Sequence, residues 1–229
     1  MANRPSGSEL DSLKILQKEM MAKGAEAVIY RGSFLEIPII SKHRLPKPYR
    51  LPQIDHAIRL HRLRVEARIL TEAWKIGARV PVLFGIDSGN FILFIEEIQG
   101  EILFSLLNLT PSTSLKSIFN EVGRQVGLLH ENNIIHGDLT VFNIIIRKEK
   151  SPWLIDFGLG QISNEIEKEA DDLLTFFSTL KAVSPNYEAL FEEFLLGYSN
   201  VYKKGRKTFE HMKKIQSRAR YIARENRLE

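Results

Sequence analysis

The sequence contains no cysteine, and that absence narrows the chemistry open to it. Disulfides and thiolate metal sites are excluded, so a cytoplasmic location is the simpler expectation. No run of about eighteen apolar residues occurs, and residues 1–11 are polar, without the apolar stretch of a signal peptide. The 229 residues, 44% hydrophobic and 26% charged, have the composition of a globular protein with a sizeable core.

Acidic residues are scarce in two stretches. Residues 203–229 hold ten Lys or Arg and three Glu, whereas the rest of the chain carries a slight negative charge. Residues 42–68 hold eight Lys or Arg and two acids. Basic stretches of this kind are typical of proteins that bind an acidic partner, and we predict contacts with RNA phosphates or an acidic protein.

Two aspartates and an asparagine stand at informative spacings in the second half of the chain. Asp138 and Asn143 lie five residues apart in His-Gly-Asp-Leu-Thr-Val-Phe-Asn, which suits one tight loop. Asp156 follows Asn143 by thirteen residues and begins Asp-Phe-Gly. That length fits a short β-hairpin, with strands at 144–146 and 153–155, which folds Asp156 back beside Asn143.

These three residue types match the needs of γ-phosphoryl transfer. A carboxylate, Asp138, orients the attacking oxygen and accepts its proton, while an amide and a second carboxylate, Asn143 and Asp156, hold Mg²⁺ on the phosphates. Both spacings match the protein-kinase catalytic loop and its Asp-Phe-Gly. The alternative, two structural turn aspartates, does not explain why both spacings occur together.

The first half predicts the other parts of a nucleotide site. Strands are expected at 13–20, 27–31 and 35–42, with a turn over 21–26 that contains one glycine, and Lys42 ends the third strand. A helix over 54–76, with Asp55 as N-cap and Gly77 as its stop, has Glu66 as the one carboxylate in its middle. We predict that Lys42 reaches the ATP phosphates and is held by Glu66. A solvated lysine and a surface glutamate are the alternatives.

A hinge is predicted at residues 96–100, after a hairpin of strands 80–84 and 91–95. There the backbone C=O of Glu96 and N–H of Ile98 are expected to bond adenine, although a strand end followed by a turn at Gly100 is the alternative. Helices are expected at 102–109, 115–130, 166–180, 187–198 and 202–224. Asp171 or Asp172 is expected to brace the backbone of the catalytic loop.

Together these elements predict an α+β, two-lobed protein-kinase-like fold in a single domain. The N-lobe, about residues 11–95, is an antiparallel sheet plus one long helix. The hinge at 96–100 leads to a reduced, mostly helical C-lobe over about 101–202, and residues 203–229 form a basic C-terminal helix.

In these residues and their spacings, the chain resembles the small RIO-like kinase of the KEOPS complex, the p53-related protein kinase family of archaea and eukaryotes. The resemblance covers nearly the whole length, and its most specific parts are the Gly24-Ala25-Glu26-Ala27 loop and the Lys47-Pro48-Tyr49-Arg50 insert. It implies an ATP- and Mg²⁺-dependent serine/threonine kinase that acts chiefly as an ATPase in threonylcarbamoyladenosine formation at position 37 of tRNAs. It also implies nucleotide contacts from the Gly24–Ala27 loop, and as partners the threonylcarbamoyl-transferase subunit, the other KEOPS subunits and tRNA.

The chain departs from the patterns of these kinases at a few positions. Val141-Phe142 makes the catalytic loop more apolar than is usual in the family. Gly137 stands where conventional kinases have the arginine that reads a phosphorylated activation loop, and no Ala-Pro-Glu follows. We therefore expect a constitutively assembled site that lacks a protein-substrate platform and is controlled by a partner.

Two other functions are compatible with parts of the pattern. A small-molecule phosphotransferase of the aminoglycoside or choline kinase type shares His-Gly-Asp and the later Asn and Asp, but it needs extra C-terminal helices that the 71 residues after Gly158 barely allow. A non-catalytic RNA-binding scaffold with a kinase fold would not need the catalytic residues, which are intact here.

Overall fold

The computed structural model describes residues 16–24, 26–107, 109–110 and 112–225. They divide into two compact units. The first contains the described residues up to Ala67 together with Val82–Glu97, and the second contains Arg68–Pro81 and the described residues from Ile98 onward. In the described part of the chain, no helix is both long and apolar enough to cross a membrane.

The first unit combines an antiparallel sheet with one long helix. Its elements are β1 (Leu16–Lys23), β2 (Ala27–Phe34), β3 (Ile37–Arg44), the part of α1 (Pro52–Lys75) up to Ala67, β4 (Leu83–Asp87) and β5 (Ile92–Glu96). The five strands pair in the order β1-β2-β3-β5-β4. Ile39, Leu63 and Leu93 are fully buried side chains from the sheet and the helix. The predicted α+β class, with an N-terminal antiparallel sheet and one long helix, is confirmed.

The strand limits differ from the sequence prediction: β2 ends at Phe34 and not at residue 31, and β4 spans Leu83–Asp87 and not residues 80–84. β1 continues to Lys23, three residues beyond the predicted end, so that the turn to β2 is shorter; residues 13–15 of the predicted strand lie outside the described part. β3 begins at Ile37 because Leu35 and Glu36 form the turn with positive φ values of 47° and 68°. It runs on to Arg44, so Lys42 lies within the strand and not at its end.

Helix α1 begins at Pro52, two residues earlier than predicted, since proline is well suited to a first helical position. Asp55 is therefore not the N-cap. It lies in the first turn, is buried, and accepts hydrogen bonds from Lys47 N–H at 3.2 Å and from Arg59 Nε at 2.7 Å. The predicted stop is confirmed, because Gly77 N–H donates to the carbonyl oxygen of Trp74 at 3.0 Å.

The second unit is mostly helical. Its elements are β6 (Glu101–Ile102), α2 (Leu103–Leu106), α3 (Ser112–Glu131), β7 (Ile134–Ile135), β8 (Ile144–Ile146), β9 (Pro152–Leu154), β10 (Gln161–Ile162), α4 (Ile166–Val183), α5 (Tyr187–Val201) and α6 (Gly205–Glu225). Helices α3 and α5 approach closely at Gly123 and Gly197, where an added Cβ would collide with the backbone of the facing helix. The predicted hairpin is confirmed as β8 paired with β9.

Candidate functional site

The catalytic loop, defined here as residues 136–143, brings Asp138 and Asn143 into direct contact. Asn143 Nδ2 donates to the backbone carbonyl of Asp138 at 2.8 Å and to its carboxylate Oδ2 at 3.0 Å. Because the amide nitrogen is used in this way, the amide oxygen faces away from Asp138 and is the atom that can coordinate a cation. The five-residue spacing thus forms one closed loop, as predicted.

Asp156 follows the β8–β9 hairpin directly. The N–H of Ile155 donates to the carbonyl oxygen of Asn143 at 3.0 Å, which returns the chain to the catalytic loop. Asp156 is exposed and has a φ of 61°, a left-handed conformation that aspartate adopts more readily than most residues. Its Oδ1 accepts the N–H of Gly158 at 3.2 Å, which fixes the carboxylate on the turn.

Asp172 on α4 braces the start of the catalytic loop. Its carboxylate accepts the backbone N–H of His136 at 2.7 Å and of Gly137 at 2.8 Å. Of the two aspartates proposed for this contact, the buried Asp172 makes it, and the adjacent Asp171 is exposed. Gly137 has a φ of 80°, and a Cβ there would collide with the carbonyl oxygen of Leu159, so this position requires glycine.

His136 joins the catalytic loop to the Asp-Phe-Gly segment. Its Nε2 lies 3.1 Å from the carbonyl oxygen of Ile155, its Nδ1 accepts the N–H of Asp138 at 3.3 Å, and its ring packs on Phe157. Burial lowers the pKa of His136, against the opposing effect of Asp172 and other carboxylates. The neutral imidazole, with its proton on Nε2, satisfies both hydrogen bonds.

Lys42 and Glu66 form a buried ion pair in the first unit, as predicted. Lys42 Nζ lies 2.8 Å from Glu66 Oε1, and both side chains are at least nine-tenths buried. The other carboxylate oxygen, Oε2, accepts a hydrogen bond from Arg44 Nη2. Arg44 is buried as well, and its Nε has no hydrogen-bond partner among the described residues. Glu66 is therefore held at both oxygens by two different cations.

The predicted nucleotide-binding loop is a tight turn. Gly24 N–H donates to the carbonyl oxygen of Ala27 at 2.9 Å, and a Cβ on Gly24 would meet only ordinary contacts, so space does not require glycine there. Glu26 is exposed and pairs with Arg62. Ala25 lies outside the described residues. Contacts between this turn and a nucleotide stay a prediction.

The predicted hinge begins at the end of β5. Glu96 is the last residue of that strand, and its N–H donates to the carbonyl oxygen of Val82 at 2.9 Å. Ile98 is buried, and it is the first residue of the longer of the two segments that form the second unit. The assignment of their backbone groups to adenine stays a prediction.

The basic stretch at residues 42–68 is partly internal. Besides Lys42 and Arg44, it contains Arg59, which pairs with Asp55 at 2.7 Å, and Arg50 approaches the same carboxylate at 3.7 Å. Arg64 and Arg68 are exposed. In the C-terminal stretch, every Lys and Arg whose side chain is described is exposed: Lys203, Lys204, Arg206, Lys207, Lys213, Lys214 and Arg218.

The two residues predicted to bind Mg²⁺ have the ligand chemistry that this ion usually finds in nucleotide sites. The described residues contain no cluster of three or more His, Asp or Glu side chains that could hold a metal by themselves. Mg²⁺ in phosphoryl-transfer sites is held by one or two protein oxygen ligands together with phosphates and water. Asn143 and Asp156 supply that kind of ligand.

Two buried features were not predicted. Arg44 belongs to a stretch whose charge pattern suggests a solvated face. Its position two residues after Lys42 on the same strand places both side chains on one face of the sheet, and this spacing could have predicted that Arg44 lies near Glu66. His130 has no predicted role, yet its Nε2 lies 3.2 Å from Asp172 and its Nδ1 lies 2.7 Å from the hydroxyl of Tyr198. Nothing in local sequence links these last three residues, which lie on three different helices.

A protein-family model shows the broad class to which this chain belongs. The family model described as "RIO domain" matches residues 55–176, more than half of the chain. Its match includes Glu66, Asp138, Asn143 and Asp156. The fold and the sequence thus define a RIO-type protein, a class of atypical kinases and ATPases that use ATP and Mg²⁺.

Sequence identity to individual proteins indicates to which family of RIO-type proteins this chain belongs. The chain is 40% identical over 215 residues to the KEOPS complex subunit Bud32 of Pyrococcus abyssi, a match that spans 90% of this chain and 97% of that protein. It is 33% identical over 218 residues to the EKC/KEOPS complex subunit bud32 of Dictyostelium discoideum, with 93% and 85% covered. It is also 39% identical over 210 residues to a probable bifunctional tRNA threonylcarbamoyladenosine biosynthesis protein of Methanosphaera stadtmanae.

That last match spans 90% of this chain but only 38% of the longer protein, so it concerns one part of the bifunctional relative. The match to the Pyrococcus protein, by contrast, extends over nearly the full length of both chains. The chain therefore belongs to the Bud32 family of RIO-type kinases, and the family identified from its motifs is confirmed.

Proposed function

We propose that this protein is a Mg²⁺- and ATP-dependent serine/threonine kinase and ATPase, and that it serves as the Bud32-type subunit of a KEOPS assembly in tRNA threonylcarbamoyladenosine synthesis in the cytoplasm. The observation that carries the enzymatic part is the Asn143 amide, whose nitrogen is bonded to Asp138 at both the backbone and the carboxylate. A scaffold would have no need for an acid and a metal ligand locked together.

Each residue has a defined task in this proposal. Asp138, half-buried and oriented by Asn143, directs the attacking hydroxyl or water and accepts its proton. Asn143 and Asp156 present oxygen ligands for Mg²⁺, which neutralises developing charge on the phosphates when it is bound. Lys42, kept in place by Glu66, contacts the phosphates. The rest of the nucleotide is bound by Gly24, Ala25, Glu26 and Ala27 and by the backbones of Glu96 and Ile98.

The assembly part of the proposal rests on the relatives. Two of them are named as KEOPS subunits, and the match to each extends over most of this chain. The partners are therefore the threonylcarbamoyl-transferase subunit, other KEOPS subunits, and tRNA through exposed basic residues. Co-purification of a transferase-type partner and stimulation of ATP turnover by that partner with tRNA would test this part.

Two substitutions test the enzymatic part by separating binding from turnover. Asp138→Asn should retain ATP affinity and lose turnover by about 100-fold or more, because its role lies in the transition state. Asp156→Asn should weaken Mg²⁺-dependent ATP binding itself. ATP binding by calorimetry and phosphate release in single turnovers would distinguish them. Turnover in Asp138→Asn equal to that of the unmodified protein would exclude the assignment.

A further inference from the structure

A chain of buried hydrogen bonds leads from helix α5 to the catalytic loop. Tyr198 on α5 is fully buried, and its hydroxyl lies 2.7 Å from Nδ1 of His130 near the end of α3. His130 Nε2 lies 3.2 Å from Oδ2 of Asp172. The same oxygen accepts the backbone N–H of His136, two residues before Asp138. Side chains from three helices therefore connect to the backbone that carries the catalytic carboxylate.

These hydrogen bonds have one consistent direction. Burial raises the pKa of the Tyr198 phenol, so that its hydroxyl keeps its proton and is able to donate. A carboxylate accepts hydrogen bonds, so His130 donates to Asp172 from Nε2; in the neutral imidazole, Nδ1 is then the acceptor for the Tyr198 hydroxyl. Each group thus fixes the orientation of the next, and every buried side-chain polar atom of these three residues has a partner.

We propose that Tyr198 is a positioning residue for phosphoryl transfer, whose hydroxyl fixes the His130 tautomer and, through Asp172, the backbone that orients Asp138. The proposal rests on the proposed function. Tyr198 touches no reacting group; its effect passes through His130 and the loop backbone. Since catalysis depends on the alignment of reacting atoms to within fractions of an ångström, a small shift of this backbone lowers turnover without removing any nucleotide contact.

The chain contains a matched control for Tyr198. Tyr202 has a buried phenol, and its hydroxyl donates to Glu169 Oε1 at 2.7 Å. The other oxygen of Glu169 accepts the hydroxyl of Thr208 on α6 at 2.8 Å. This second network is adjacent to the first, because the Tyr202 ring packs on the rings of Tyr198 and His130 and Thr208 also interacts with the Tyr198 hydroxyl. The Tyr202 hydroxyl itself, however, bonds to Glu169 and to no residue of the path to Asp138 among the described hydrogen bonds. Tyr202→Phe keeps the ring and its packing, so each variant removes one buried hydroxyl, but only Tyr198→Phe removes a hydrogen bond of that path.

The first test compares the two variants in stability and in steady-state ATP turnover. Both should melt at a temperature below that of the unmodified protein, by similar amounts. Tyr198→Phe should lower kcat on the order of 10-fold, with the KM for ATP changed by less than about twofold, whereas Tyr202→Phe should leave both parameters unchanged. Equal kcat values in the two variants would overturn the proposal.

A second measurement does not require turnover. Amide hydrogen exchange in a peptide covering residues 134–139 should become faster in Tyr198→Phe and stay unchanged in Tyr202→Phe, because only the former loosens the acceptor of the His136 and Gly137 amides. If the unmodified protein does not turn over ATP, the proposed function is wrong. Amide hydrogen exchange still decides, in that case, whether Tyr198 fixes the backbone of the catalytic loop. Unchanged exchange in Tyr198→Phe would refute the positioning role.

Discussion

Two buried carboxylates, Glu66 in the first unit and Asp172 in the second, are held by opposite kinds of partner. Glu66 is bound by two cations, Lys42 and Arg44. Asp172 is bound by two backbone N–H groups and by the imidazole of His130, and by no lysine or arginine among the described residues. Both carboxylates are about 2% exposed, so the difference lies in the chemistry of the partners and not in burial.

The difference has a functional meaning. Ion pairs buried at this depth are stable only while the charges balance, and the unpaired Nε of Arg44 shows that the Glu66 cluster is incompletely satisfied in the described residues. We therefore expect this cluster to respond to an incoming anion such as a phosphate. The Asp172 cluster satisfies its members and binds main chain directly, so it is suited to fix a loop permanently.

The largest predicted effect comes from removing the charge of Glu66. Glu66→Gln leaves the buried Lys42 and Arg44 facing a neutral amide and should cost about 3–5 kcal/mol of unfolding free energy, measured by urea denaturation. Glu72→Gln is the matched control, since Glu72 lies on the same helix and pairs with Lys75 at the surface. The control should cost less than about 1 kcal/mol.

Turnover provides the decisive comparison for this cluster. If Lys42 and Glu66 act as a unit on the phosphates, Lys42→Ala and Glu66→Ala should each lower activity, and the double variant should be little worse than either. Effects that multiply would show that the two residues act independently. The Glu66 cluster would then have a structural role only, like the Asp172 cluster, and the two clusters would no longer differ in function.

Asp172→Asn should have the next largest effect. The asparagine keeps one acceptor oxygen, but its NH₂ group faces donors, so at least one buried N–H of the loop is left without its partner at a cost of about 1–3 kcal/mol. ATP turnover should fall more steeply than ATP affinity. Asp171→Asn, at the adjacent exposed residue, is the control and should behave like the unmodified protein in both measurements.

The contrast also shows what the sequence can reveal. Asp138, Asn143, Asp156 and the hairpin between them were predictable because they are close in sequence and their spacing sets the geometry. The Lys42–Glu66 pair was predictable because Glu66 is the one carboxylate in the middle of an arginine-rich helix. The path from Tyr198 was not, since the contacts that form it depend on how three helices pack.

The predicted limits of helices and strands were wrong where the main-chain geometry, and not the pattern of apolar residues, decides where an element begins and ends. The helix predicted at 102–109 is only four residues long, Leu103–Leu106. The strand Ile134–Ile135, just before the catalytic loop, was missed because two apolar residues carry no periodic signal; it is identified by its pairing with Gln161–Ile162. The catalytic loop is therefore flanked by a short strand that only tertiary pairing defines.

A smaller effect is expected from pH. Burial lowers the pKa of His136 below its ordinary value of 6.5, so the unfolded state binds more protons than the folded state as the pH falls below 6.5, and stability decreases there. One such group contributes a slope of at most about 1.4 kcal/mol per pH unit. Urea denaturation between about pH 5 and 7 should show a smaller slope for His136→Asn than for the unmodified protein.

His43 gives a graded comparison for this effect, because burial also lowers its pKa but its side chain is only half-buried. His43→Asn should reduce the slope less than His136→Asn does. Equal slopes in the unmodified protein and His136→Asn would show that this imidazole is not held neutral, and the tautomer inferred for the loop would be wrong.

Neutralising exposed basic residues of α6 is expected to have the smallest effect on stability and ATP turnover. Its effect on tRNA affinity should nevertheless be measurable. Removing residues 203–229 would expose core, because Thr208 is fully buried and bonded to Glu169. Neutralising the exposed Lys213, Lys214 and Arg218 to Gln avoids this. Stability and ATP turnover should stay unchanged, while tRNA affinity falls and its dependence on log salt flattens by ~0.7–0.9 for each phosphate that the variant no longer binds.

The control for this last prediction changes the same number of charges elsewhere. Lys75, Lys148 and Lys181 are exposed, and their replacement by Gln lowers the net charge by the same three units. If tRNA binding depends on net charge alone, both triple variants will weaken it equally, and α6 will have no special role. If the α6 face contacts the phosphates, only the first variant will change the salt slope, because counterions are released only where contacts form.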